Sequence, residues 1–200
     1  IRFETGPWRT LADVPFDGFE FKMFSVPDKP HVTGSQSYFG GDRDDGRPAL
    51  GCLFEYNQDY PITYFGLLHL CLHEVMPGHY LNTVVSDLLY RDGRLGFEST
   101  VRTMCTPEVA LEEGRAQNNL NFLFDSRDEA YATMASLFGV REIDLRIQHA
   151  MEDLMDIAKH NGTVLAGREG YSEGAVRTYA TEMCALSDVM ATKIWGWGNH

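Results

Sequence analysis

The stretch "HLCLHEVMPGHY", residues 69–80, decides the fold: three histidines and one glutamate share twelve positions. His73 and Glu74 begin like the helical pattern H-E-x-x-H. That pattern places two metal-binding histidines on one helix face and a glutamate within reach of a metal-bound water. Here position 77 is Pro77, and the next histidine is His79. Six residues turn an ideal helix by roughly 240°, so an unbroken helix points the two rings apart. Proline removes a backbone donor, and glycine accepts conformations closed to other residues. Pro77-Gly78 therefore predicts a break, and the break allows His79 to swing back towards His73. His69 and His73 form a competing pair, four apart on one face with no break needed. Leu70 follows His69, however, so that pair lacks the adjacent carboxylate, and His73 with His79 is preferred.

Working outward, "YFGLLHLCLHEVM" is almost wholly apolar up to His73 and predicts a helix buried on most sides. "YLNTVVSDLLYR" resumes helical periodicity after the break. In "TPEVALEEGRAQNNLNFLF", Thr106 is an N-cap, Pro107 occupies the first helical position and Glu108 lies in the first turn. From about Asp128 to Lys159, spacings of three and four link Leu137, Val140, Ile143, Ile147, Met151, Leu154 and Ile157, predicting one long helix. A last helix is expected from Ser172 to Ile194. Residues 1–50 are rich in Gly, Pro and Asp and read as loops with short strands. "SQSYF" and "ALGCLFEYN" are the strand-like segments, separated by the turn residues "GGDRDDGRP". The expected fold is a single mostly α domain over residues 1–200, loop- and strand-rich to about 50 and helical over 64–195.

The composition narrows the function classes. Of 200 residues, 44% are hydrophobic and 12% aromatic, enough for a core and against disorder. A net charge of −12 repels nucleic acid and anionic lipid surfaces. No apolar run is long enough to span a bilayer. Cys52, Cys71, Cys105 and Cys184 form no C-x-x-C pair and read as buried free thiols, favouring a reducing compartment such as the cytoplasm. The first residue is Ile1 rather than Met, so an upstream natural start, with any targeting segment, is expected and localisation stays open.

A catalytic zinc takes three protein ligands and keeps one position open. "VALEEGRAQ" offers Glu112 and Glu113 as the third ligand. Glu113 is preferred because the adjacent Gly114 would let two helices approach closely. Glu112 then reads as a salt-bridged neighbour, and His69 as a core histidine or one that orients a ligand. Two histidines and a carboxylate also suit iron or another divalent metal.

"HEVMPGHYLN" and "EEGRAQ" resemble the H-E-x-x-P-G-H and E-G-W-A signatures of a bacterial zincin-like family, domain-of-unknown-function family 885. Upstream, "SYFGGDRDDGRPALGCLFEYN" is similar to that family's tyrosine, D-G-x-R-P-G and following strand. Downstream, "LRIQHAMED" resembles its helical segment of arginines and an aspartate. The resemblance spans roughly residues 36–190. It implies a helical, gluzincin-type metallopeptidase fold binding one zinc through His73, His79 and Glu113, with Glu74 as general base. It also implies that a strand within "RPALGCLFEY" borders the cleft and offers its edge to an extended peptide. Four positions depart from the family: Arg115 replaces the tryptophan of E-G-W-A, Asn118 a tyrosine, His149 a second arginine and Asp188 a C-terminal tyrosine. Family members are also longer, with an N-terminal helical region not found here.

The expected activity is zinc-dependent hydrolysis of an amide bond, in a peptide or a small amide. Two alternatives stand: an inactive, zinc-stabilised binding domain, and a metal enzyme, iron-dependent among the options, acting on a small non-peptide substrate. Arg146 and His149, three apart on one helix, either bind a substrate carboxylate or oxyanion or form ion pairs with Glu142 or Asp153. Tyr38 is either a donor to a substrate carbonyl or a packed aromatic. The oligomeric state is left open.

Overall fold

The segment "GCLFEYN" carries the large apolar and aromatic side chains Leu53, Phe54 and Tyr56, and it becomes the middle of a small sheet. In the computed structural model, which describes residues 2, 4–16, 19–25, 33–59, 62–103, 106–168 and 170–198, three strands form: β1 (Phe19–Phe24), β2 (Gly34–Phe39) and β3 (Gly51–Asn57). Their order is β1-β3-β2, with β1 parallel and β2 antiparallel to β3. Cys52 is opposite Phe19 on one side and Tyr38 on the other. Both edges of β3 are therefore occupied, which corrects the expectation that this strand offers an edge to a peptide. Between β2 and β3 the turn residues act as expected: Arg43 N donates to Arg47 O (2.8 Å) and Gly46 N to Arg43 O (2.8 Å).

The chain divides into two compact units, residues 1–133 and 134–200. In the first, Leu50, Cys52 and Phe54 pack against Val75, Tyr80, Val84 and Leu88 in one buried cluster. Burying each such side chain stabilises the fold by about 1.5–3 kcal/mol. Tyr80 is fully buried, and its hydroxyl donates to Leu50 O at 2.6 Å, tying the helices to the sheet. The helices here are α1 (Tyr64–Glu74), α2 (His79–Arg91), α3 (Pro107–Gln117) and the short α4 (Asn119–Leu123). Thr63 caps α1 by accepting from Gly66 N (2.9 Å), and Thr106 caps α3 by accepting from Val109 N. α1 buries only Phe65 and Leu72 completely, less than its apolar sequence suggests, because it lies over the sheet edge with its histidine-bearing side left partly open. β2 lies against it: a Cβ on Gly34 would be 2.7 Å from Leu70 Cδ2.

Two long helices expected from periodicity are interrupted. The segment from Asp128 to Lys159 is α5 (Arg127–Phe138) and α6 (Glu142–Ala166), separated at Gly139, whose φ of +67° suits glycine and no helix. The final segment is α7 (Glu173–Thr178), a π-helical turn (Tyr179–Met183) and α8 (Asp188–Gly198), with Ala185 at φ +53° between the last two. The apolar series is not the buried side of α6. Ile143, Ile147, Met151, Leu154 and Ile157 are 52–67% exposed, whereas Leu145, His149, Ala158, Gly162 and Ala166 are buried. Small residues explain the choice, since they let α6 and α8 approach closely. A Cβ on Gly162 would be 2.7 Å from Ile194 Cγ2, and one on Gly198 would be 2.4 Å from Ala166 Cβ. Among the described residues, no helix is long and apolar enough to cross a membrane. Of the described residues 59% are helical and 11% in strands, mostly α as the sequence predicts.

Candidate metal centre

α1 stops at Glu74, where Val75 N makes the last helical hydrogen bond to Cys71 O (2.9 Å). The Met76–Pro77 peptide is cis, and α2 starts at His79. Between them the backbone of Gly78 passes directly over the end of α1. A Cβ at position 78 would lie 1.8 Å from His73 O and 2.5 Å from Leu72 O, so no side chain fits. The chain thus folds back on itself within four residues. The two imidazoles meet nearly perpendicular, with ring centroids 4.7 Å and Nε2 atoms 3.1 Å apart. Two separate helices do what one kinked helix would not.

Glu113 reaches this pair from α3. Its Oε2 lies 3.2 Å from His73 Nε2 and its Oε1 lies 3.2 Å from His79 Nε2. The end of α3 and the start of α4 are each seated on α1 by a side chain–backbone hydrogen bond. His69 Nε2 is 3.2 Å from Gln117 O, and the buried Asn119 donates from Nδ2 to Leu72 O at 2.7 Å. Glu112 is held elsewhere: Asn82 Nδ2 donates to its Oε1 at 2.7 Å and Arg102 Nη2 lies 2.7 Å from its Oε2. Gly114 has no part in close packing, since a Cβ there would meet nothing within 4 Å.

His73, His79 and Glu113 are the group among the described residues whose ligand atoms converge as a metal site requires. A tetrahedral ion with bonds of about 2.0–2.1 Å sets its ligand atoms about 3.3 Å apart. The two nitrogens are 3.1 Å apart and each lies 3.2 Å from one Glu113 oxygen, Oε2 for His73 and Oε1 for His79, close to that spacing. The donors are two imidazole nitrogens and a carboxylate, and the Glu113 side chain is 49% exposed, leaving one side of the group open.

The electrostatics suit ligation. Burial lowers the pKa of both His73 and His79, and for each it outweighs the raising effect of Glu113. Both rings are therefore held neutral, the form that binds a metal. Glu74, next to His73, has its carboxyl raised from the usual 4.5 to about 7. Burial is the main cause and Glu113 adds to it, while Arg102 opposes. A cation held by the three ligands would draw it down again.

A cavity of about 660 Å³ opens beside the group. It is lined by Thr83 and Asp87 one and two turns beyond His79 on α2, and by Val109 and Glu112 before Glu113 on α3. Arg102 and Tyr38 complete that side. Tyr38 donates its hydroxyl proton to Asp87 (2.8 Å), and burial together with that carboxylate holds its pKa far above the usual value.

Arg146 and His149 belong to the second unit, on α6. Arg146 Nη2 is 3.7 Å from Glu142 Oε2, and the buried His149 has Nε2 3.5 Å from Asp153 Oδ1. Asn118 closes α3 by donating to Gly114 O (2.7 Å), Arg115 is exposed, and Asp188 is 3.5 Å from Arg177. Cys52 is buried and free, and burial pushes its thiol up to about 11; Cys71 and Cys184 are free as well, and Cys105 lies outside the described residues. Sequence reasoning missed Asn82, Arg102 and Asn119 as supports of the site. Only Asn82 carried a signal, three residues after His79 on the same helix face. Comparison of the chain with protein-family models, curated proteins and solved structures returns no match.

Proposed function

We propose that the chain binds one zinc ion through His73, His79 and Glu113 and works as a zincin-like hydrolase that cleaves an amide bond in a peptide, with Glu74 as general base. The observation that carries the proposal is the convergence of His73 Nε2, His79 Nε2 and the Glu113 carboxylate from three helices, the nitrogens 3.1 Å apart and each 3.2 Å from one of the two carboxylate oxygens. The similarity of "HEVMPGH" and "EEGRA" to the signatures of domain-of-unknown-function family 885 supports it. When bound, zinc supplies Lewis acidity, lowering the pKa of a coordinated water towards about 7 and polarising a carbonyl. Glu74 sits at the end of α1, directly after the ligand His73, and receives the proton of the attacking water. It then passes that proton to the leaving nitrogen. Among the described residues β2 pairs with β3 alone, and its other edge, on a strand that packs on α1 and α2, is where an extended substrate backbone can add.

The same donor set suits iron, so the metal itself is tested first. Protein purified without added metal is expected to carry close to one zinc per chain by elemental analysis, and His79→Ala to carry none. Glu74→Gln is expected to retain zinc and to lose cleavage of a peptide library. A wild-type chain that stays free of metal after dialysis against zinc would refute the proposal, and iron in place of zinc would redirect it to redox chemistry.

A further inference from the structure

We infer that Asn82, Glu112 and Arg102 form a clamp that positions the metal ligands, a role that rests on the metal-site reading above. The ligands come from three helices, and the junctions between those helices are built differently. α1 is in direct contact with α3, pinned through His69 to Gln117, and with α4, pinned through Asn119. α2 and α3, which carry His79 and Glu113, have the cavity between them and meet mainly through side chains. Asn82 is three residues after His79, on the same side of α2, and Glu112 immediately precedes Glu113. The 2.7 Å hydrogen bond from Asn82 to Glu112 Oε1 therefore bridges α2 and α3 beside their ligands.

The second oxygen of Glu112 faces Arg102, also at 2.7 Å, on the segment leading into α3. With one oxygen held from each side, Glu112 cannot turn towards the histidines. Glu113, half exposed and free of that network, can. Two adjacent glutamates thus divide the work: one ligates, the other sets the distance between the helices. A hydrogen bond to a carboxylate, with an ion pair on its second oxygen and in a partly buried setting, is strong enough for that task. Partners one step removed from the ligands typically alter metal affinity by about 10–100-fold.

The test uses the full chain and metal binding rather than catalysis. Zinc affinity is measured by competition with a chelator, and the cobalt-substituted protein is followed by its visible absorption, which reports ligand geometry. N82A and E112A are each expected to weaken zinc binding about tenfold and to change the cobalt spectrum. The double variant is expected to be no worse than either single one, because both act through one hydrogen bond. E112Q, whose amide oxygen still accepts from Asn82, is expected within about threefold of wild type. Asn82→Ser, too short to reach Glu112, replaces N82A should the alanine variant misfold. Wild-type affinity and spectrum in N82A and E112A overturn the clamp, as does a double variant whose loss is the product of the two single losses. A wild-type chain that takes up no zinc overturns the metal-site reading instead.

Discussion

The carbonyl oxygen of His73 occupies the place where a Cβ on residue 78 would have to be. The separation would be 1.8 Å, far inside contact distance, and the obstacle is backbone rather than a side chain that could move. Gly78 is fixed by this close approach and not by its φ of −79°.

Gly78→Ala is therefore expected to displace the start of α2 and separate His79 from His73. Relieving the clash by moving buried backbone should cost about 3 kcal/mol or more. A thermal melt and zinc titration of the variant check this; a melting temperature and zinc affinity equal to wild type would contradict the geometry.

Zinc should stabilise the first unit, because Glu113 is distant in sequence from the two histidines and only the folded chain brings the three together. At a free zinc concentration a hundred times Kd, the gain is about 2.7 kcal/mol. A chelator should lower the melting temperature of wild type and leave Glu113→Ala unaffected. Equal responses of the two proteins would exclude Glu113 as a ligand.

Glu74 gives a pH signature in the metal-free protein. Its folded carboxyl titrates near 7, above its usual 4.5, so the native state keeps a proton that the unfolded chain has released. Stability attributable to Glu74 is thus full below about pH 4.5 and is lost as pH rises through 7. Metal-free Glu74→Gln should match wild type near pH 4 and exceed it by about 1–3 kcal/mol at pH 8, the cost of a buried charge being removed. Denaturant melts at both pH values decide the matter, and a variant less stable than wild type at pH 8 would reverse the sign.

The two histidines act in the opposite direction. Their folded pKa values lie below the usual 6.5, so the unfolded chain takes up protons first as pH falls. The metal-free protein should lose stability as pH drops from 6.5, and His73→Gln should flatten that slope in urea melts. An unchanged slope would mean that the rings are not held neutral by burial.

Asn119→Ala removes the buried donor to Leu72 O, which holds the start of α4, and with it the end of α3, against α1. A loss of about 1–3 kcal/mol is expected, since the carbonyl is left without its partner. Zinc affinity should fall with it. A destabilised variant with wild-type affinity would show that α3 holds its place through His69 alone.

Much of this centre was legible in the chain itself, because its signals are local. Pro77 and Gly78 stop one helix and start another through their own covalent geometry. Thr106-Pro107 starts α3 by satisfying its first donors, and strand-like composition with turn residues between marks β2 and β3. These depend on neighbours a few positions away, and they placed His73, Glu74 and His79 at one joint. The third donor needed more. Glu112 and Glu113 are chemically identical, and only Asn82 and Arg102, brought from other segments, decide which of the two is turned away from the histidines.

The same limit explains where periodicity misled. Apolar spacing in α6 identified a helix and one apolar face. The face that became buried carries Ala158, Gly162 and Ala166, because α8 packs closely against small residues. Likewise, strand composition identified β3 but not its place in the middle of the sheet. That follows from β1, whose parallel pairing takes the edge left free by β2. Breaks, caps and strand-like composition are settled within a few residues and were legible in the sequence alone. Which glutamate is held away from the histidines, which helix face is covered and which strand lies in the middle of the sheet depend on partners distant in the chain, so only the tertiary structure decided them.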